Sequence, residues 1–181
     1  GNATIAELSA EIQSSVPTVT KAVNELLAEG YVVDMGKITN SFKLTFPSRS
    51  CNEAFARTAV ASFVTYLDPT LDEVSDIKTS VSEAVTNCTV HAYRDKIGLI
   101  TIKATLLEDR TVVIQIKDSG CGIGDIKQAR TATYSSSCDG ERAGLGFSVM
   151  EAFMDKVRVR SVVGKGTTVV LSKKIGDTQE A

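Results

Sequence analysis

The sequence predicts an α/β protein of the α+β sandwich kind, preceded by a small helix-turn-helix-like segment. Three observations predict it. Residues 1–40 carry two helical periodicities and then a short apolar run. From Ser41 onward, strands with alternating apolar residues are interleaved with two long helical patterns. Two pairs of strand patterns are separated only by turn residues, which is the signature of hairpins.

Thr4-Ile5-Ala6-Glu7 has capping-box spacing, and Leu8 and Ile12 continue it at helical intervals. Gln13-Ser14-Ser15 is a polar break, and Pro17 suits the first turn of the next helix. Val19, Val23, Leu26 and Leu27 form its apolar stripe, Gly30 stops it, and Tyr31-Val32-Val33 reads as a strand ending near Gly36. Ser41–Phe46 is a strand with Phe42, Leu44 and Phe46 on one face, ended by Pro47. Glu53–Leu67 is helical, with Ala54, Val60, Phe63, Val64 and Leu67 turned to the core, and Asp68-Pro69 breaks it. Leu71–Ala92 is a longer helix. Ile97–Leu107 and Thr111–Asp118 form a hairpin around Glu108-Asp109. A stretch rich in Gly and Ser runs from Asp118 to Gly146. Phe147–Met154 is helical, and Val157–Val163 pairs with Thr167–Ser172 around Gly164-Lys165-Gly166. The domain reading is residues 1–40, 41–175 and a polar tail, 176–181.

With 181 residues, 43% hydrophobic and 23% charged, the composition excludes a disordered or fibrous chain. The formal charge of −2 supplies no global field for nucleic acid or anionic membrane. Residues 1–40 hold Lys21 and Lys37 against Glu7, Glu11, Glu25, Glu29 and Asp34, a local charge of −3. No apolar run approaches the ~18 residues of a membrane span, so the chain is expected to be cytoplasmic with no membrane partner. Cys51, Cys88, Cys121 and Cys138 form no CxxC pair and are read as reduced thiols. The single histidine, His91, excludes a multi-histidine metal centre.

Four motifs carry chemistry. Glu83 and Asn87 are i and i+4 on the long helix, beside the core stripe of Ile77, Val81, Ala84, Val85 and Cys88. A carboxylate and an amide there look together into a cleft. The amide oxygen suits Mg²⁺ and the carboxylate suits a general base. Asp118-Ser119-Gly120-Cys121-Gly122-Ile123-Gly124 follows a strand, its glycines permitting close backbone approach. Gly144-Leu145-Gly146-Phe147 opens a helix whose free amides suit phosphate. Gly164-Lys165-Gly166-Thr167-Thr168 is a hairpin turn when taken alone.

In this order and spacing the four resemble the N, G1, G2 and G3 boxes of the GHKL (Bergerat) ATPase superfamily. The stretches "LDPTLDEVSDIKTSVSEAVTNCTVHAY", "KDSGCGIGDIKQAR", "ERAGLGFSVMEAFMD" and "GKGTTV" are similar to the sporulation anti-sigma factors, which are serine kinases of that superfamily. The resemblance implies a Bergerat mixed sheet with helices on one face, ATP or ADP as nucleotide, and Mg²⁺ as cofactor. It implies Glu83 as general base and Asn87 as the Mg²⁺ ligand. Asp118 would read the adenine amino group with Thr167 close by, and Gly120, Gly122 and Gly124 would admit the nucleotide. Gly144, Leu145 and Gly146 would present amides to phosphate, and Asp125–Arg142 would be a lid with Arg142 near the γ-phosphate. Ser135-Ser136-Ser137-Cys138 stands where the family often has Thr-Thr-Lys-Pro.

The implied partners are a sigma factor of the sigma-F type, an anti-anti-sigma protein phosphorylated on serine, and a second copy in a homodimer. A general-stress anti-sigma kinase and a nucleotide-dependent binding module without kinase activity are the alternatives. A sensor histidine kinase is set aside, because His91 lies inside the N box. Residues 4–37 resemble the helix-turn-helix of winged-helix repressors of the ROK type. That likeness implies DNA binding by residues 1–40, with Ser15–Glu29 entering the major groove. A packing or dimerisation appendage is the other reading.

Overall fold

Two capping boxes set the starts of two helices. Thr4 Oγ1 accepts the Glu7 amide at 3.2 Å while Glu7 Oε2 accepts the Thr4 amide at 2.7 Å, opening α1 (Ile5–Glu11). Thr70 and Glu73 repeat the exchange at 3.2 and 2.8 Å, opening α4 (Leu71–Asn87). Each box satisfies two amides that the first turn leaves free.

The computed structural model describes residues 4–28, 37–130 and 145–176. It divides into two compact units, Gly1–Met35 and Gly36–Ala181. The first contains α1 and α2 (Val16–Ala28), with Ser15 Oγ accepting the Thr18 amide at 3.4 Å as the second helix starts. Ser9 and Val19 are its buried side chains among the described residues. The strand expected at Tyr31–Val33 and its stop at Gly30 lie outside the described residues.

The second unit runs β1 (Ile38–Pro47), α3 (Cys51–Val64), a 3₁₀ turn (Thr65–Leu67), α4, and a π-helical turn (Cys88–Ala92). It continues through β2 (Leu99–Leu107), β3 (Thr111–Lys117), α5 (Ile126–Ala129), α6 (Leu145–Phe153), β4 (Lys156–Val162) and β5 (Gly166–Lys174). The five strands form one sheet in the order β1-β2-β3-β5-β4. Every pairing is antiparallel, where a mixed sheet was expected. Short connections join β2 to β3 and β4 to β5, and a tight hairpin can only pair its strands antiparallel. The register Leu44↔Ile102↔Ile116 and Ile114↔Leu171 puts the apolar side chains on one face. There they meet Ala56, Val60 and Val64 of α3, Ile77, Val81, Ala84 and Val85 of α4, and Phe147 and Met150 of α6. The result is an α+β sandwich with these three helices on one face of the sheet.

Four details depart from the sequence reading. Ala54 is exposed and Ala56 takes the core position, because the buried stripe of α3 steps by four through Ala56, Val60 and Val64. The helix ends at Val64, and Leu67 closes a 3₁₀ turn that Asp68 terminates in the left-handed region at φ 48°. β1 begins at Ile38, ahead of Ser41, as Ile38 pairs with Leu107. The long helix changes winding after Asn87, where the Tyr93 amide donates to Cys88 O at 3.2 Å and closes the wider π turn.

Candidate nucleotide site

The C-terminal end of α4 brings the motifs together. Glu83 and Asn87 are half-buried, one turn apart, on the edge of the fully buried stripe. Both side chains reach Gly146 in the first turn of α6. A Cβ at that glycine would stand 3.0 Å from Glu83 Oε2 and 3.3 Å from Asn87 Nδ2. Leu145, beside it, is exposed. Gly144 and Arg142, with lid residues 131–141, lie outside the described residues. The carboxylate and amide therefore face the start of a helix, where free amides and the positive dipole end favour anions.

Cys88, the next residue after Asn87, faces the other half of the site. Its thiol donates to Asp118 Oδ2 at 3.7 Å. Burial, then the Asp118 carboxylate, pushes this thiol well above its usual range, so it stays protonated and donates. Asp118 is only 3% exposed. Its Oδ1 accepts the Gly120 amide at 2.8 Å and the Thr167 amide at 3.2 Å, while its own amide donates to Thr167 O at 3.0 Å. The Thr167 hydroxyl lies 2.8 Å from Ser161 Oγ, which also accepts the Ile123 amide at 2.7 Å. Asp118 and Thr167 are thus fixed on neighbouring strands by reciprocal bonds.

The glycines of the loop answer first to protein backbone. A Cβ at Gly120 would come within 2.3 Å of Ala92 O. At Gly122, with φ 72°, it would meet Val162 O at 2.3 Å. At Gly124 the nearest atom would be Val163 Cγ2 at 4.0 Å, so packing makes no such demand there. His91 is held below its usual range by burial and then by Arg94. Among the described residues no cluster of three or more His, Cys, Asp or Glu could hold a metal ion.

These groups suit a purine nucleotide with a hard cation. Among the described residues, two amides take Asp118 Oδ1, whereas Oδ2 has only a weak thiol donor and keeps acceptor capacity for an exocyclic amine. An amide oxygen with a nearby carboxylate is a donor set that suits Mg²⁺, which usually keeps waters and phosphate oxygens as its other ligands. Sequence reasoning placed Cys88 only in the core stripe and gave no role to Tyr93 or Ser161. The signal for Cys88 was present, since it directly follows Asn87 on the same helix end.

The chain carries a histidine kinase-like ATPase domain, the family whose model matches residues 46–173. The anti-sigma F factor of Caldanaerobacter subterraneus subsp. tengcongensis is 51% identical over 137 residues, covering 76% of this chain and 95% of that protein. The anti-sigma F factor of Clostridium acetobutylicum is 49% identical over 137 residues, with the same coverage of 76% and 95%. The chain therefore belongs to the anti-sigma F factor family. Among solved structures, the RsbU and RsbW domains of Rv1364c from Mycobacterium tuberculosis share the fold with a TM-score of 0.55 at 19% identity. That likeness covers 76% of this chain and 32% of that one. The α1–α2 unit lies outside residues 46–173.

Proposed function

We propose that the chain is an ATP-dependent protein-serine kinase that binds and inhibits a sporulation sigma factor and phosphorylates an anti-anti-sigma protein. The observation that carries this reading is the convergence of Glu83 and Asn87 on Gly146, one residue from the Cys88 thiol that grips Asp118. The family membership supports the partner classes, since the relatives are anti-sigma F factors.

In this reading Asp118 accepts the adenine amine, with Thr167 beside it. Gly120, Gly122 and Gly124 keep the loop close enough to the base. Asn87 would hold Mg²⁺, whose charge would offset that of the phosphates, and the amides of Gly144, Leu145 and Gly146 receive phosphate oxygens. Glu83 takes the proton of a substrate serine hydroxyl as its oxygen attacks the γ-phosphorus. The bond to the β-phosphate oxygen breaks and ADP leaves. Arg142 offsets charge developing on the transferred group. Such transfer needs chiefly positioning and charge stabilisation, so this small set suffices. The chain works in the cytoplasm as a homodimer, and phosphorylation of the anti-anti-sigma protein releases that partner.

The test is transfer of label from γ-labelled ATP to a purified anti-anti-sigma protein. The parent transfers label to serine, and Glu83→Gln slows the step by about 10²–10⁴-fold, the usual worth of a general base. A Glu83→Gln variant as fast as the parent removes the base assignment. A parent that binds sigma factor and ATP but transfers nothing makes the chain a nucleotide-dependent binding module.

A further inference from the structure

The loop that follows β3 is seated, nearly residue by residue, on the π-helical turn. The Cys88 thiol donates to Asp118 Oδ2 at 3.7 Å. Tyr93 Oη accepts the Ser119 amide at 2.8 Å and donates to Leu99 O at 2.6 Å. Ala92 O accepts the Cys121 amide at 3.0 Å, and His91 O accepts the Cys121 thiol at 3.3 Å. Gly120 fits between these contacts only because it lacks a Cβ. A regular α-turn closes on residue i−4, whereas this one closes on Cys88 from Tyr93. The wider turn directs two carbonyls, a thiol and a phenol at one four-residue loop. Single π turns of this kind recur at functional sites.

We propose that this turn is a positioning element for base recognition, with Cys88 and Tyr93 setting how strictly Asp118 selects an amino-bearing purine. The proposal rests on the reading of Asp118 as the acceptor for the adenine amine. Tyr93 fixes the main chain one residue after Asp118, and its hydroxyl is itself locked by Leu99 O. Cys88 fixes the carboxylate. Its thiol is a weak donor, so it orients Oδ2 without exhausting it as an acceptor. With Oδ1 already holding two amides, rotation of the carboxylate would break all three bonds at once. The selecting oxygen thus faces the ligand before the ligand arrives, and preorganisation of this kind turns a hydrogen bond into discrimination.

The experiment measures, for the full chain, the affinity for ATP against purine riboside triphosphate, which lacks the 6-amino group, together with the melting temperature. The parent favours ATP. Asp118→Asn removes the preference and tests the underlying reading alone. Tyr93→Phe, which keeps the ring and loses both hydrogen bonds, and Cys88→Ala each lower the ATP preference about three- to tenfold, the worth of one ordinary hydrogen bond. Affinity for the analogue falls less than affinity for ATP in each variant, because the analogue has no amine for Asp118 to read. Variants that melt earlier while keeping the parent's preference overturn the proposal and leave the turn a structural feature. A parent with no preference overturns the base-reading assignment and the proposal with it. If Cys88→Ala does not fold, Tyr93→Phe alone decides between these outcomes.

Discussion

Asp118 divides its carboxylate between the protein and the cleft. Two backbone amides hold Oδ1, and among the described residues the Cys88 thiol is the one donor to Oδ2. Glu83 makes the matching contribution at the other end, where Gly146 leaves room that any side chain would fill. Gly146→Ala would place a methyl 3.0 Å from Glu83 Oε2, the end of a flexible side chain. The expected outcome is a loss of nucleotide affinity on titration, with a melting temperature close to the parent's. Gly166→Ala differs. Its φ is 102° and its Cβ would stand 2.3 Å from Asp118 O, so backbone must move. Left-handed strain and this clash should cost about 2 kcal/mol or more in chemical denaturation and weaken nucleotide binding together. Glu83, Asn87, Asp118 and Thr167 were legible in the sequence because each occupies a fixed offset in a motif. Cys88 could be placed only by its position next to Asn87, and Tyr93 not at all, because a phenol that accepts the amide of a residue distant in sequence leaves no periodic signal.

At the scale of elements, α4 is the frame of the site, and its N-terminal end is tied to the far end of β5. Glu73 Oε1 accepts the Gly176 amide at 2.8 Å while Oε2 completes the capping box. Lys173 Nζ lies 3.1 Å from Asp76 Oδ2. Burial alone would raise the Glu73 carboxyl, but bonds from Gly176 and Thr70 and the Lys173 charge lower it overall. A carboxyl lowered in the folded state stabilises above its unfolded value and loses that contribution as pH falls through its folded one. Glu73→Gln, which keeps a side chain able to complete the box but removes the charge, should flatten the acid limb of the stability profile in melts across pH. His91 acts in a higher window. Burial and Arg94 disfavour its charged form, so stability falls as pH drops through the ordinary histidine range. His91→Gln should flatten that window in melts across pH. The box at Thr4, both hairpins and the α4 stripe could be read from local spacing. The π turn could not, since residues 88–92 carry the same pattern an α-helix would. The antiparallel pairing of β1 with β2 was equally hidden, because it joins strands separated by two helices.

At the scale of the molecule, the charge divides along the chain. Residues 1–40 carry two basic and five acidic side chains, and the remainder carries eighteen and seventeen. The helix pair resembling a DNA reader is thus the acidic part, and phosphate contacts require basic side chains. The chain is expected not to retain duplex DNA in filter binding at about 150 mM salt, where few phosphate contacts survive screening. Sequence-selective retention would reverse that expectation. Among the described residues no helix is long and apolar enough to cross a membrane.

The central claim is that segments around residues 83–88, 118–124, 144–146 and 164–168 form one nucleotide site. Calorimetric titration with MgATP tests it most directly, using Asn87→Ala and Asp118→Asn, one from each end. One nucleotide should bind per parent chain, with a loss of about tenfold or more in each variant, as expected when a charged or metal-bridged contact is removed. Variants that both bind MgATP as tightly as the parent would contradict it.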